Sequence, residues 1–281
     1  MRAFVAVRNI VKAWLLLIGI CGVLAFIGWA LGGVRLLSIF VFCALLLVGG
    51  AYWYFDRVVL GMVGARELPV GEGPLLHSTV ERLAALAGVG KPRLYLIPDG
   101  LPRALATGRG PRSSSLALSA GCVSACTPAE LEGVLAHEVA HVRHRDVAIQ
   151  TAVVVLAASM IELSRVGGWL QRGLLFVLGP IAAACVHLLL SPKREFEADR
   201  AAAELCGSPH GLADALLRLE HAAGLVDFEG SPATEPLYTF NPFAEEGLAA
   251  LFVTHPRLEE RVRRLRDLDP TWREKLRTEA A

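Results

Sequence analysis

His137-Glu138-Val139-Ala140-His141 is the stretch on which the reading of this chain turns, because three chemically potent side chains converge there by spacing alone. Residues four apart on a helix lie one above the other, so both imidazoles leave one face and can take two corners of a tetrahedral metal site. Glu138 stands beside them. Such a set is built for hydrolysis: neutral imidazoles hold the ion, the ion makes water acidic, and a carboxylate outside the ligand set collects the proton.

The flanks place the motif inside a well-started helix. Thr127 suits the N-cap, Pro128 the first helical position, and Glu130 completes a capping box. Val134, Leu135, Ala136, Val139, Ala140 and Val142 carry no charge, as a dry metal-bearing helix requires. A tetrahedral catalytic site needs one more protein ligand and one open corner, so another His, Asp or Glu has to come from elsewhere in the chain. In Ser191-Pro192-Lys193-Arg194-Glu195-Phe196-Glu197-Ala198-Asp199-Arg200 the serine and proline read as a helix start, with Gly207 as its stop. Glu195 and Asp199 then share a face. One of the two carboxylates can bind the metal while the other sits behind a ligand histidine and fixes its tautomer.

Glu132 through His141, then His144-Arg145-Asp146, then Ser191 to Asp199, resemble the HtpX family of membrane zinc metalloproteases, relatives of the type I CAAX prenyl proteases. Ala106-Thr107-Gly108-Arg109 with Leu116-Ala117-Leu118-Ser119, and His255-Pro256, resemble further elements of that family, so the likeness covers most of the chain after about residue 60. By matching positions, the resemblance implies His137, His141 and Glu195 as ligands of one Zn2+ per chain and Glu138 as the base. It also implies an α+β zincin domain of the gluzincin type joined to an all-α membrane part of about four transmembrane helices. One position departs from the family pattern: where the family has Asn-Ala-Phe-Ala-Thr-Gly, this chain has Arg103-Ala104-Leu105-Ala106-Thr107-Gly108. Arg103 is therefore a candidate substrate-handling residue.

Composition agrees with a membrane protein. The chain has 281 residues, 54% hydrophobic, and a net charge of +1 that points to no nucleic-acid partner. Ala13 to Val34 and Leu36 to Phe55 are free of charge, each about 20 residues and long enough to cross a bilayer as a helix, with Arg35 and its neighbouring glycines at the turn. Arg2, Arg8 and Lys12 precede the pair and Arg57 and Arg66 follow it, which places both ends in the cytoplasm. Weaker apolar stretches follow at Val147 to Ile161 and Gly173 to Leu190. An even number of crossings is required between the metal helix and Glu195, since both must reach one ion. The expected organisation is a transmembrane hairpin over 1–56, a first part of the catalytic domain over 57–146, a second hairpin over 147–190 and the rest of the catalytic domain over 191–281.

Within the catalytic part, Pro74 opens an amphipathic helix ending at Gly88, and Arg93 to Ile97 and Ser115 to Leu118 read as strands. The second, just before the metal helix, is a candidate edge for an extended peptide. His77, His144, His210 and His221 read as surface residues, His187 as a bundle residue, and Gly230 to Pro242 as a loop. Pro256 starts a charged last helix with His255 at its cap, where it is a candidate for aiding the oxyanion or standing behind the ligands. Six cysteines without Cys-x-x-Cys spacing show no disulfide framework.

The reading is a multi-pass protein of the inner membrane whose site faces the cytoplasm and hydrolyses peptide bonds of protein substrates, quality control of membrane proteins being what the resemblance implies. Two other readings keep the same residues: an intramembrane metalloprotease, and a zinc-binding scaffold without turnover. Oligomeric state and cleavage preference are not legible.

Overall fold

The computed structural model describes residues 2–151, 192–223 and 256–269. The second apolar hairpin, His187, the loop at Gly230 to Pro242 and His255 lie outside the described residues, apart from the first few positions of that hairpin.

Helix α1, Arg2–Met62, is two helices that meet at Gly32 and Gly33 rather than one rod. Gly33 has φ 63 and ψ −149, a conformation open to glycine and closed to nearly everything else. The two halves fold back on each other: a Cβ added to Gly28 would stand 2.8 Å from both the Leu36 carbonyl and the Phe40 Cβ. In a continuous helix Gly28 and Phe40 would be about 18 Å apart. Counting only residues whose placement is described, no helix is long and apolar enough to cross a membrane. The end of α1 enters the domain that follows, where Val59, Leu60 and Val63 pack against Ile97, Leu105 and Ala117. Buried Asp56 accepts from Arg93 Nη2 at 3.0 Å and ties the same end to the sheet.

The sheet comprises β1 (Arg66–Glu67), β2 (Arg93–Ile97), β3 (Ala104–Gly110) and β4 (Ser113–Ser119) in the order β1-β2-β4-β3. β2 and β4 are parallel, Leu94 opposite Leu116. β3 and β4 form an antiparallel hairpin with an irregularity between Gly108 and Gly110. This corrects one expectation: β4 is interior, and among the described strands β3 takes the edge position on that side. Strict alternation explains the two layers. Ala104, Ala106, Leu116 and Leu118 face the main core, while Leu105 and Ala117 face α1.

Helix α2 (Pro74–Ala87) has Pro74 in its first turn and closes at Gly88, φ 70, whose N–H reaches back to Ala84 and Ala85 carbonyls. Its Val80 and Leu83 are fully buried, each contributing about 1.5–3 kcal/mol of burial. His77 on this helix is buried and sits 2.9 Å from the Leu68 carbonyl through Nε2, so it is a core residue and not a surface one. After the short α3 (Ala120–Ala125) comes α4 (Pro128–His144), which runs through the middle of the domain and packs on α2, β3 and two later helices, α5 (Pro192–Cys206) and α6 (His210–Ala223). The α4–α6 approach is so close that a Cβ on Gly133 would lie 2.5 Å from the Leu212 backbone nitrogen. The last described helix, α7 (Leu258–Arg266), has Arg257 rather than His255 at its N-cap and buries Val262 and Leu265 in the main core.

Candidate metal centre and active site

Helix α4 starts as its sequence predicts. Thr127 Oγ1 accepts from the Glu130 N–H at 3.4 Å, and the Glu130 carboxylate accepts from the Thr127 N–H at 2.7 Å. Glu130 is held below its usual carboxylate range: burial pushes it up, but the Thr127 N–H and Arg218 outweigh that. The helix ends at Arg145, the one described non-glycine residue with positive φ, at 62. Its N–H satisfies the His141 and Val142 carbonyls, and the chain turns sharply into Asp146.

His137 and His141 are therefore one turn apart on a fixed helix, and α5 brings Glu195 against them. The two Nε2 atoms lie 3.1 Å apart. Glu195 Oε2 stands 3.5 Å from the first and its Oε1 3.6 Å from the second. All three side chains are buried, and among the described residues they form a set of ligand atoms within 4.8 Å of one another. The spacing left open which carboxylate of α5 would face the imidazoles. Glu195 does so, and Asp199, one turn on, places Oδ1 2.9 Å from His137 Nδ1. His141 Nδ1 meets a different carboxylate, Asp146 Oδ2, at 3.1 Å.

This donor set fits a cation. Asp146 hydrogen-bonded at His141 Nδ1, and the Asp199 carboxylate close to His137 Nδ1 without the alignment of a hydrogen bond, favour the ring proton on those nitrogens, so each Nε2 offers a lone pair. Two lone pairs 3.1 Å apart, with a third carboxylate facing both, repel one another unless something positive sits among them. Imidazole nitrogens and a carboxylate in threefold approach suit a small divalent metal with one corner left open. The same negative surroundings act on protons. Burial pushes His141 down, but Glu195 and Asp146 outweigh it and raise the imidazole to about 10. Asp199 moves the other way: burial pushes it up, yet Arg261 and His137 hold it at about 2.

Glu138, next to His137, is buried to 2% exposure and lies outside the converging set. Arg103 is buried at the head of β3; its guanidinium pairs with Asp99, and its N–H donates to Ser119 Oγ at 2.9 Å. Three residues with no role read from the sequence belong to the site. Asp146 backs His141. Arg194, buried beside it, stands 3.9 Å from Asp146 and 3.5 Å from Glu195. Arg261, buried on α7, grips Asp199. Asp146 lies five residues past His141 and beyond a left-handed turn, a spacing that no helical pattern flags.

The family model for peptidase family M48 matches residues 72–269. A protein called protease HtpX homolog from Persephonella marina is 37% identical over 92% of this chain and 96% of its own. Another of that name from Pyrococcus furiosus is 37% identical over 92% of this chain and 95% of its own. The crystal structure of Ste24p from S. mikatae is similar over 93% of this chain and 66% of that one, with 20% identity and a TM-score of 0.49. With a family model spanning most of the chain and relatives matched over nearly their whole length, the chain belongs to peptidase family M48, among its HtpX-type metalloproteases.

Proposed function

We propose that the chain is a zinc-dependent endopeptidase anchored in a membrane, with His137, His141 and Glu195 as the metal ligands and Glu138 as the general base. The observation that carries this is the inward convergence of two imidazole Nε2 atoms and one carboxylate, each imidazole backed at Nδ1 by a second carboxylate. When bound, zinc supplies Lewis acidity that polarises the scissile carbonyl and makes water a stronger acid. Glu138 takes one proton from the attacking water as its oxygen joins the carbonyl carbon, then delivers that proton to the amide nitrogen as the C–N bond breaks. Burial of Glu138 keeps the proton from bulk solvent between the two transfers. Of the two edge strands, β1 spans only two residues, so the longer edge for an extended peptide to join is β3, whose Gly108 N–H already donates to Thr151 Oγ1 at 3.3 Å.

Membrane attachment is supported by α1. Phe26, Trp29, Leu31, Val34, Ile39, Phe42, Leu45 and Leu46 are exposed on the folded-back helices, an apolar surface too dense for water and suited to lipid. The basic residues flanking these helices support a site on the cytoplasmic side. Protein substrates are the class this arrangement serves.

The test uses full-length protein in detergent, stripped with a chelator and given stoichiometric zinc, with casein cleavage and self-cleavage followed beside Glu138→Gln. Zinc-dependent cutting by the parent, with the variant binding zinc but slowed by about 10²–10⁴-fold, is the expected result. Full activity in Glu138→Gln overturns the assignment of the base.

A further inference from the structure

Arg261 is the largest of the fully buried described side chains, 1% exposed, on the face of α7 that it shares with Leu258 and Leu265, which pack on the main core. Its neighbours Arg263 and Arg264 are more than half exposed, and both donate to Glu260, which is itself half-buried. Burying a guanidinium costs several kcal/mol unless it is paired. Here the partner is Asp199, which accepts from Arg261 Nε through Oδ2 at 2.9 Å and from Nη2 through Oδ1 at 2.6 Å. A two-point fork fixes the plane of a carboxylate, where a lysine would fix only a charge beside it. Oδ1 is also the oxygen that lies 2.9 Å from His137 Nδ1. The opposite nitrogen of that ring is the one facing His141 and Glu195.

We propose that Arg261 is a positioning residue for the metal: through its fork it holds the Asp199 carboxylate in place against His137 Nδ1, and so aims the His137 lone pair at the ion. The C-terminal helix α7 thereby completes a site whose ligands lie elsewhere, across 62 positions of sequence. Removing the fork lets the carboxylate turn and the ring follow, which lowers affinity for the ion without removing a ligand. The inference rests on the zinc reading given above. A rival role is a simple staple between α7 and α5, useful for folding and indifferent to metal.

The experiment measures zinc affinity of the full-length protein in detergent by competition with a fluorescent chelator, together with the visible spectrum of the cobalt(II)-substituted form. Arg261→Gln is expected to weaken zinc binding by about 10- to 100-fold and to alter the cobalt bands. Asp199→Asn is expected to do the same, and the double variant to bind no more weakly than Asp199→Asn alone if the arginine acts through that carboxylate as proposed. Leu265→Ala, on the same helix and buried, is expected to lower the melting temperature while leaving zinc affinity at the parent value. Arg261→Lys keeps the charge and loses the fork; it serves where Arg261→Gln does not fold, with an intermediate loss expected. Parent-like zinc affinity in Arg261→Gln or Arg261→Lys overturns the proposal, as does an equal loss in Leu265→Ala. A parent that takes up no zinc at all is a separate result, and it removes the zinc reading itself.

Discussion

His137 and His141 each set Nδ1 against a carboxylate, Asp199 at 2.9 Å and Asp146 at 3.1 Å, yet the two carboxylates are secured in unlike ways. Asp146 is supplied by the same stretch of chain that carries His141, one sharp turn later, with the Arg194 guanidinium 3.9 Å away. Asp199 comes from α5 and is gripped at two points by Arg261 from α7. One half of the site is therefore local and the other is assembled from three helices. Local geometry survives disturbance of the tertiary packing better than geometry that needs distant elements to dock, so the His137 half is the one that reports whether the domain is fully assembled.

The largest effect expected is one that abolishes the comparison. Glu195 faces both Nε2 atoms, so Glu195→Ala removes the group common to the two halves and is expected to leave no tight zinc binding and no proteolysis. Zinc titration with chelator competition checks it, and retained stoichiometric zinc would show that another group is the third ligand.

Next in size come the two backing carboxylates taken separately. Asp199→Asn and Asp146→Asn are each expected to weaken zinc affinity by about 10- to 100-fold, with Asp199→Asn at the upper end because it also leaves the Arg261 guanidinium buried beside a neutral partner. Asp199→Asn should lower the melting temperature of the metal-free protein as well, by more than Asp146→Asn does. Equal effects on both readouts would mean that the fork adds nothing to the local half.

The halves also differ in their response to pH once zinc is stripped. Asp199 is held at about 2 against an ordinary 3.8, a folded value below the unfolded one, so its contribution is present above pH 3.8 and is lost as pH falls toward 2. That contribution is on the order of 2 kcal/mol. His141 is raised to about 10 from an ordinary 6.5, a folded value above the unfolded one, so its contribution is complete below pH 6.5 and fades as pH rises through 10. Melting temperatures of the chelated protein should fall at both extremes. Zinc removes the alkaline step, because a metal-ligating His141 is neutral throughout, and zinc affinity climbs with pH as the competing proton leaves. An alkaline step of the same size in zinc-loaded and chelated protein would contradict the ligand role of His141.

What could be seen in the sequence follows the same division between local and distant. His137 and His141, and Glu195 and Asp199, are four apart on capped helices, and a period of 3.6 is enough to pair them. The fold-back in α1 is marked by charge-free runs and by the glycines beside Arg35, and the turn sits at those glycines, Gly32 and Gly33. Ala104–Gly110 did not read as a strand, because alanine and glycine have little preference for one, and only pairing with β4 makes it so. Arg261 was hidden for the opposite reason. The spacing puts Arg261 on the stripe of Leu258 and Leu265, but a helix so rich in charge does not say which of its arginines finds a buried partner, and that partner is on another helix. His77 shows the same limit, since its burial depends on the Leu68 carbonyl.

The smallest effect expected separates the carrier helix from the site it carries. Thr127 caps α4 at the end remote from both imidazoles, through a bond to Glu130 that Arg218 reinforces from α6. Thr127→Ala should cost about 1 kcal/mol of stability, in zinc-loaded and chelated protein alike. Since α4 bears both histidines, loosening its start shifts neither half of the site relative to the other, and zinc affinity and the cobalt spectrum should remain those of the parent. A drop in zinc affinity comparable to that of Asp199→Asn would mean that α4 frays as far as His137 when its cap is lost. The assembled half would then depend on the cap of its carrier helix as well as on the docking of α5 and α7.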